Sequence, residues 1–117
     1  MSGFRSIYEE LPPPLPLGSI MAQPPSFEWD DRKAAANLRQ QGVSFEEALT
    51  VFINPLARIF DDEDQPADER REIIVGHSLQ NRVLVICFTE RPEAIRIISA
   101  RKATENERKD YEEGVRA

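Results

Sequence analysis

The run VLVICF at residues 83–88 is apolar at both alternating parities. Successive side chains of an extended chain point to opposite faces, so this segment has no face to give to water. It reads as a central strand covered on both sides. At six residues it is far shorter than the roughly 20 apolar residues of a membrane span.

The flanking residues supply its neighbours. REIIVGHS lies just before it, separated from RVLVICFTE by residues 79–81, the spacing of a hairpin. AIRIISA reads as the last strand, with Arg96, Ile98 and Ala100 on one face and Ile95, Ile97 and Ser99 on the other. LARIF is a further short strand, and FEWD an apolar–polar alternation ending at Asp30.

Helical signals come before and after this sheet. Asp30 is placed to cap DRKAAANLRQQ, and Gly42 to stop it. Ser44 and Glu47 have the spacing of a capping box, ahead of a stripe made by Phe45, Ala48, Leu49 and Phe52. Asn54 followed by Pro55 ends that helix. A last helix is expected over residues 103–113. The expected fold over residues 27–117 is α+β: two N-terminal helices, an antiparallel sheet of four to five strands and one C-terminal helix. Residues 1–26, with LPPPLPLGS and QPPS, suit a disordered extension, because proline blocks both helix and sheet.

A length of 117 residues suits one small domain. No basic segment followed by an apolar core marks a secretory signal. The single Cys87 cannot form an internal disulfide, so a cytoplasmic protein with Cys87 as a small core residue is expected. The net charge of -6 opposes binding of nucleic acid through a positive field over the whole surface. The charge is uneven, however. Residues 61–72 hold seven acids and two arginines, whereas residues 96–117 hold six cations and five acids. A local basic site therefore remains open.

Phosphate-binding glycine loops, C-x-x-C, H-E-x-x-H and nucleophile elbows are absent from the sequence. With one histidine, His77, no multi-histidine metal site can form, and neither metal nor cofactor is expected. In the C-terminal stretch Arg101 and Glu105, Glu105 and Lys109, Arg108 and Glu112, and Lys109 and Glu113 stand four apart, the spacing of helix-stabilising ion pairs. Arg96 is not explained that way. A charge between isoleucines in a strand is costly unless it finds water, a partner or a ligand. Arg96, Arg101 and Tyr111 together could bind phosphate. Lys33, Asn37 and Gln41 form a second polar stripe, on the first helix. His77, at a strand end, is of the residue type that exchanges protons near neutral pH.

FEWDDRKAAANLRQQGVSFEEALTVF, ADERREIIVGHS, VLVICFTER and IRIISARKATENERKDYEE, in that order, resemble the BrnT family of type II toxins. The resemblance implies a RelE-like fold and a ribonuclease that arrests translation and growth. It also implies a BrnA-type ribbon-helix-helix antitoxin that neutralises the toxin in a hetero-oligomer. The antitoxin would carry the complex to operator DNA, so that it represses its own operon. Lys33, Asn37, Arg70, Gly76, Arg96, Ser99, Arg101, Glu107 and Tyr111 fall at positions that the family's motifs mark. One departure concerns Gln40 and Gln41, which stand where members often carry Lys-His and can supply neither a positive charge nor a proton near neutral pH.

The expected mechanism is metal-independent. Arg96 and Arg101 bind the scissile phosphate, with Arg70 and Arg108 as further phosphate contacts. Tyr111 positions RNA by hydrogen bonding or stacking, and His77, Glu107 and Lys33, in that order, are the candidates for proton transfer. The alternative is a non-enzymatic protein-binding module or co-repressor that uses the same basic junction to dock an acidic partner.

Overall fold

A computed structural model describes residues 26–62 and 70–116. The proline-rich segment and much of the acidic block lie outside these residues. The elements run β1 (Phe27–Glu28), α1 (Asp31–Gln41), α2 (Phe45–Val51), β2 (Arg58–Asp61), β3 (Glu72–His77), β4 (Val83–Glu90), β5 (Ile95–Lys102) and α3 (Glu105–Arg116). The sheet order is β1-β5-β4-β3-β2, which puts the VLVICF strand at the centre. All pairings are antiparallel except β1 with β5, which is parallel. The expectation of a wholly antiparallel sheet is corrected at that edge. Among the described residues, no helix is long and apolar enough to cross a membrane.

Local chemistry sets the helix ends. The Asp30 carboxylate accepts the N–H groups of Arg32 (2.8 Å) and Lys33 (3.2 Å), which offsets the unfavourable place of Lys33 in a first turn. Gly42 leaves α1 at φ 72°, and its N–H returns to the Leu38 carbonyl at 2.9 Å. That left-handed backbone suits glycine because it has no Cβ. At α2 only half of the expected capping box forms. Ser44 accepts the Glu47 N–H at 3.0 Å, but the Glu47 side chain turns inward. It accepts from Ser78 Oγ (2.7 Å) and from the Arg82 guanidinium, with Nε at 3.0 Å. Buried though it is, the carboxyl is held below its ordinary value, chiefly by the Arg82 hydrogen bonds. This cluster fastens α2 to the β3–β4 turn.

The core lies between the sheet and α1–α2. Val43, Phe45, Ala48 and Val51 pack against Ile74, Leu84, Ile86, Phe88, Ile97 and Ala100. Edge-to-face rings continue it through Phe27, Phe52 and Phe88, with centroid separations of 5.0 and 5.1 Å. Gly76 is required by close approach: a Cβ there would meet the Ala57 Cβ at 2.9 Å and Val51 Cγ1 at 3.1 Å. The opposite face of β4 is only half covered. Val85, at the groove beside α3, and Cys87 are both partly exposed, so the expectation of a strand covered on both faces is corrected.

Asn37 departs from the polar stripe expected on α1. It is buried, and its amide donates to the carbonyls of Val43 (2.9 Å) and Ala100 (2.8 Å) while accepting the Ala100 N–H at 3.1 Å. β1 pairs with β5 only at Ile95 and Arg96. Further along, the side chain of Asn37 takes the place of a neighbouring strand at Ala100. Asn37→Ala would leave a buried N–H and two carbonyls without these partners. It should cost about 3 kcal/mol and lower the melting temperature by roughly 15 °C in a thermal melt.

Candidate nucleic-acid interface

β5 carries a bulge that reassigns its faces. Cys87 lies opposite Ser99 and Phe88 opposite Ile97, so Ile98 is the extra residue. Directly paired residues share a face, which sets Arg96 (opposite Thr89), Ser99 and Arg101 (opposite Val85) together on the outer face. Ile97 and Ala100 both turn into the core. Simple alternation had put Arg96 and Arg101 on different faces. The bulge is the physical reason for the correction.

The two arginines nevertheless serve different clefts. Their partners on β4 are four residues apart, a span of about 13 Å along a strand, and the two guanidiniums are turned to different carboxylates. Arg96 pairs with Glu28 at 3.1 Å, and Arg91 Nε lies 3.7 Å from the same carboxylate. Arg96 lines a cleft of about 370 Å³ with Lys33, Arg70, Arg71, Arg91, Thr89 and Ile98. These cations come from α1, from the segment before β3, from the end of β4 and from β5. The Arg70 carbonyl accepts from Thr89 Oγ1 at 2.8 Å, tying that segment to β4.

Arg101 instead makes a two-pronged ion pair with Glu107, at 2.7 and 2.9 Å, and not the helical pair with Glu105. The reason is that Arg101 still belongs to β5. Glu107 also accepts the Thr104 N–H at 2.9 Å, while Thr104 Oγ1 accepts the Glu107 N–H at 3.1 Å. This reciprocal capping box starts α3. Its T-x-x-E signature was present in the sequence but hidden among the four-apart charges. Arg101 and then the Thr104 N–H hold the Glu107 carboxyl at about 2, so it is a poor proton acceptor near neutral pH.

Arg101, Glu107 and Tyr111 do converge, on a largely apolar groove of about 400 Å³ that Phe60, Val75 and Val85 also line. Tyr111 itself is only 6% exposed, and its hydroxyl donates to the Leu56 carbonyl at 2.9 Å. Burial pushes its phenol up. Tyr111, expected to position RNA by hydrogen bonding or stacking, has its hydroxyl on Leu56 and its ring against the imidazole of His77, with centroids 5.8 Å apart.

His77 borders a third cleft, of about 380 Å³, with Arg82, Lys102, Arg108 and Glu112. Arg108 makes the four-apart pair with Glu112 at 3.1 Å and reaches Glu105 at 3.3 Å. The three candidates for proton transfer are therefore divided, Lys33 in the Arg96 cleft, Glu107 at the apolar groove and His77 beside Lys102. Gln40 and Gln41 are exposed at the end of α1 and line none of these three clefts. Glu28 and Arg91 were missed by sequence reasoning, because only the β1–β5 and β4–β5 pairings bring them beside Arg96; Lys102, next to Arg101 in β5, was missed at the His77 cleft. Among the described residues, no group of three or more His, Cys, Asp or Glu could hold a metal ion.

Comparison with known proteins bears on the family and the fold. The family described as the ribonuclease toxin, BrnT, of type II toxin-antitoxin systems matches residues 29–107. The crystal structure of the Brucella abortus ribonuclease toxin BrnT is similar, with a TM-score of 0.52 and 23% identity, over 70% of this chain and all of that one. At that identity the likeness establishes a shared fold. Among curated proteins, none matches in sequence.

The acid response follows from Glu107. Its carboxyl lies well below the ordinary value of 4.5 in the folded protein, so its stabilisation is fully present above pH 4.5. That stabilisation is lost as the pH falls toward 2. In acid titrations followed by circular dichroism, Glu107→Gln should be less stable than the parent near neutrality, with the difference shrinking steadily below pH 4.5. Thr104→Ala, which removes the cap alone, should cost about 1 kcal/mol.

Proposed function

Because the chain belongs to the BrnT ribonuclease-toxin family of type II toxin-antitoxin systems, we propose that it is itself an endoribonuclease, with RNA lying along the outer face of the sheet. One observation carries the reading. A chain of net charge -6 gathers Lys33, Arg70, Arg71, Arg91 and Arg96 around one open cleft. Backbone phosphates are the ligands that such a cluster attracts.

Arg96 and Arg70 hold the scissile phosphate and the charge that develops on it. The 2′-hydroxyl attacks phosphorus and gives up its proton, the bond to the 5′-oxygen breaks, and the products are a 2′,3′-cyclic phosphate and a 5′-hydroxyl. Lys33, in the same cleft, donates the proton to the leaving oxygen. Glu28 is the carboxylate placed to take the 2′-hydroxyl proton once the RNA phosphate displaces it from Arg96. Arg101, farther along the same face, contacts the backbone on one side of the cut. No step requires a metal ion.

A type II system implies a protein antitoxin. We assign that role to a BrnA-type ribbon-helix-helix protein that covers the basic cleft, arrests the ribonuclease and carries the complex to operator DNA. The protein acts on RNA to stop translation, in the cytoplasm.

A second reading places the chemistry at His77, beside Lys102 and Arg108. Purified protein and RNA incubated with a chelator separate the two. Cleavage should persist, and Arg96→Ala should lower kcat/KM by about 10²–10³. Lys33→Ala should lower it by about 10² or more, with His77→Ala close to the parent. The reverse order would move the active site to His77. Intact RNA, with tight binding of the antitoxin, would leave a non-enzymatic co-repressor.

A further inference from the structure

We propose that the free edge of β2 is a self-association surface, at which two copies pair antiparallel and join their five-stranded sheets. β2 ends the sheet, and among the described residues its outer edge is unpaired. All four of its residues are exposed. Ile59 and Phe60, one on each face, are 55% and 52% exposed. Arg58–Asp61 contains no proline and pairs with β3 without a bulge, so of the devices that guard such an edge it has only its short length and the charges of Arg58 and Asp61. The exposed Ile59 and Phe60 between those charges leave an edge that can take another strand.

The hydrogen-bond phase and the side chains select a second copy in one register. The Asp62 N–H donates to the Arg71 carbonyl at 3.0 Å. By the alternation of an antiparallel ladder, Arg58 and Phe60 also turn their main chains toward β3, and Ile59 and Asp61 turn theirs outward. A two-fold axis perpendicular to the sheet keeps each face on its own side, so paired residues must have the same parity. An axis at Ile59 would set Asp61 against Ala57, whose N–H is already given to the Asn54 carbonyl at 3.0 Å.

An axis at Phe60 pairs Ile59 with Asp61 of the second copy, and Asp61 with its Ile59. The outward main-chain groups of both residues are then satisfied in each copy. On the outer face the same register sets Phe60 against Phe60 in a close, non-hydrogen-bonded pair. It also sets Arg58 against Asp62 on both sides of the axis. In this register the edge matches itself in main-chain hydrogen bonding and in the signs of Arg58 and Asp62, as a closed two-fold interface requires. The apolar grooves beside Tyr111, which Phe60 lines, come to abut across the axis.

Sedimentation of the full chain over a concentration series tests this. The mass should rise from one chain to two. Ile59→Pro removes an outward N–H without breaking the β2–β3 ladder, so it should abolish the dimer while the thermal melt stays close to the parent. Arg58→Asp should weaken association by about tenfold or more, and adding Asp62→Arg should restore it, which decides the matter even if Ile59→Pro unfolds. In a Cys87→Ser background, Phe60→Cys should cross-link under mild oxidation, and Ile59→Cys should not. A chain that stays monomeric at every concentration overturns the proposal, as does a dimer that is indifferent to Ile59→Pro and to the charge exchange. Protection of the β2 amides that appears only on adding antitoxin would give the edge to that partner and overturn it too.

Discussion

Three hydrogen bonds from the amide of Asn37 hold the architecture in register. They join α1 to β5 at Ala100 and to the turn before α2 at Val43. Without them, the main chain of Ala100 would be buried where β1 no longer reaches, at the cost that attends any unmet polar group in a core. Because they fix Ala100, they also fix the strand just beyond its bulge. Arg101 on the outer face and Lys33 one helical turn before Asn37 are placed by the same clamp. The core on one face and the charge on the other are therefore set by one buried side chain.

The bulge at Ile98 adds what the clamp cannot. A regular strand would alternate Arg96 away from Arg101, and one would enter the core. One extra residue keeps both in reach of solvent while sending Ile97 and Ala100 inward. The arginines are then treated differently. Arg101 is spent largely on Glu107, and the two organise the start of α3. Arg96 shares one carboxylate with Arg91 and faces a cleft rich in cations. An anion entering that cleft meets Lys33, Arg70, Arg91 and Arg96 around one opening. At the Glu107 pair it meets a balanced contact.

Local signals carried much of this into the sequence. The Asp30 and Gly42 caps, the hairpin around residues 79–81 and the apolar central strand each rest on interactions between near neighbours, and those could be read directly. The family resemblance drew on the same segments. Glu47 could not be read, because a capping residue and a buried ion-pair partner share the same spacing from Ser44. Asn37 could not either, since on a helical wheel it continues the line of Lys33 and Gln41, and only packing against β5 turns it inward. Tyr111 stands on the same helical face as Arg108 and Thr104 in the sequence, but its burial against Leu56 and His77 depends on where α3 lies on the sheet.

The sequence by itself determined the α+β class, the helix ends and the set of cationic residues from which a phosphate site can be built. It did so because caps, periodicity and residue type act within a few positions of the chain. Only the tertiary structure decided which cations meet. Their grouping depends on a one-residue bulge, on the parallel edge that brings Glu28 to Arg96, and on helix placement across the outer face. Each is a long-range contact whose free energy is spread over a core that no local pattern records.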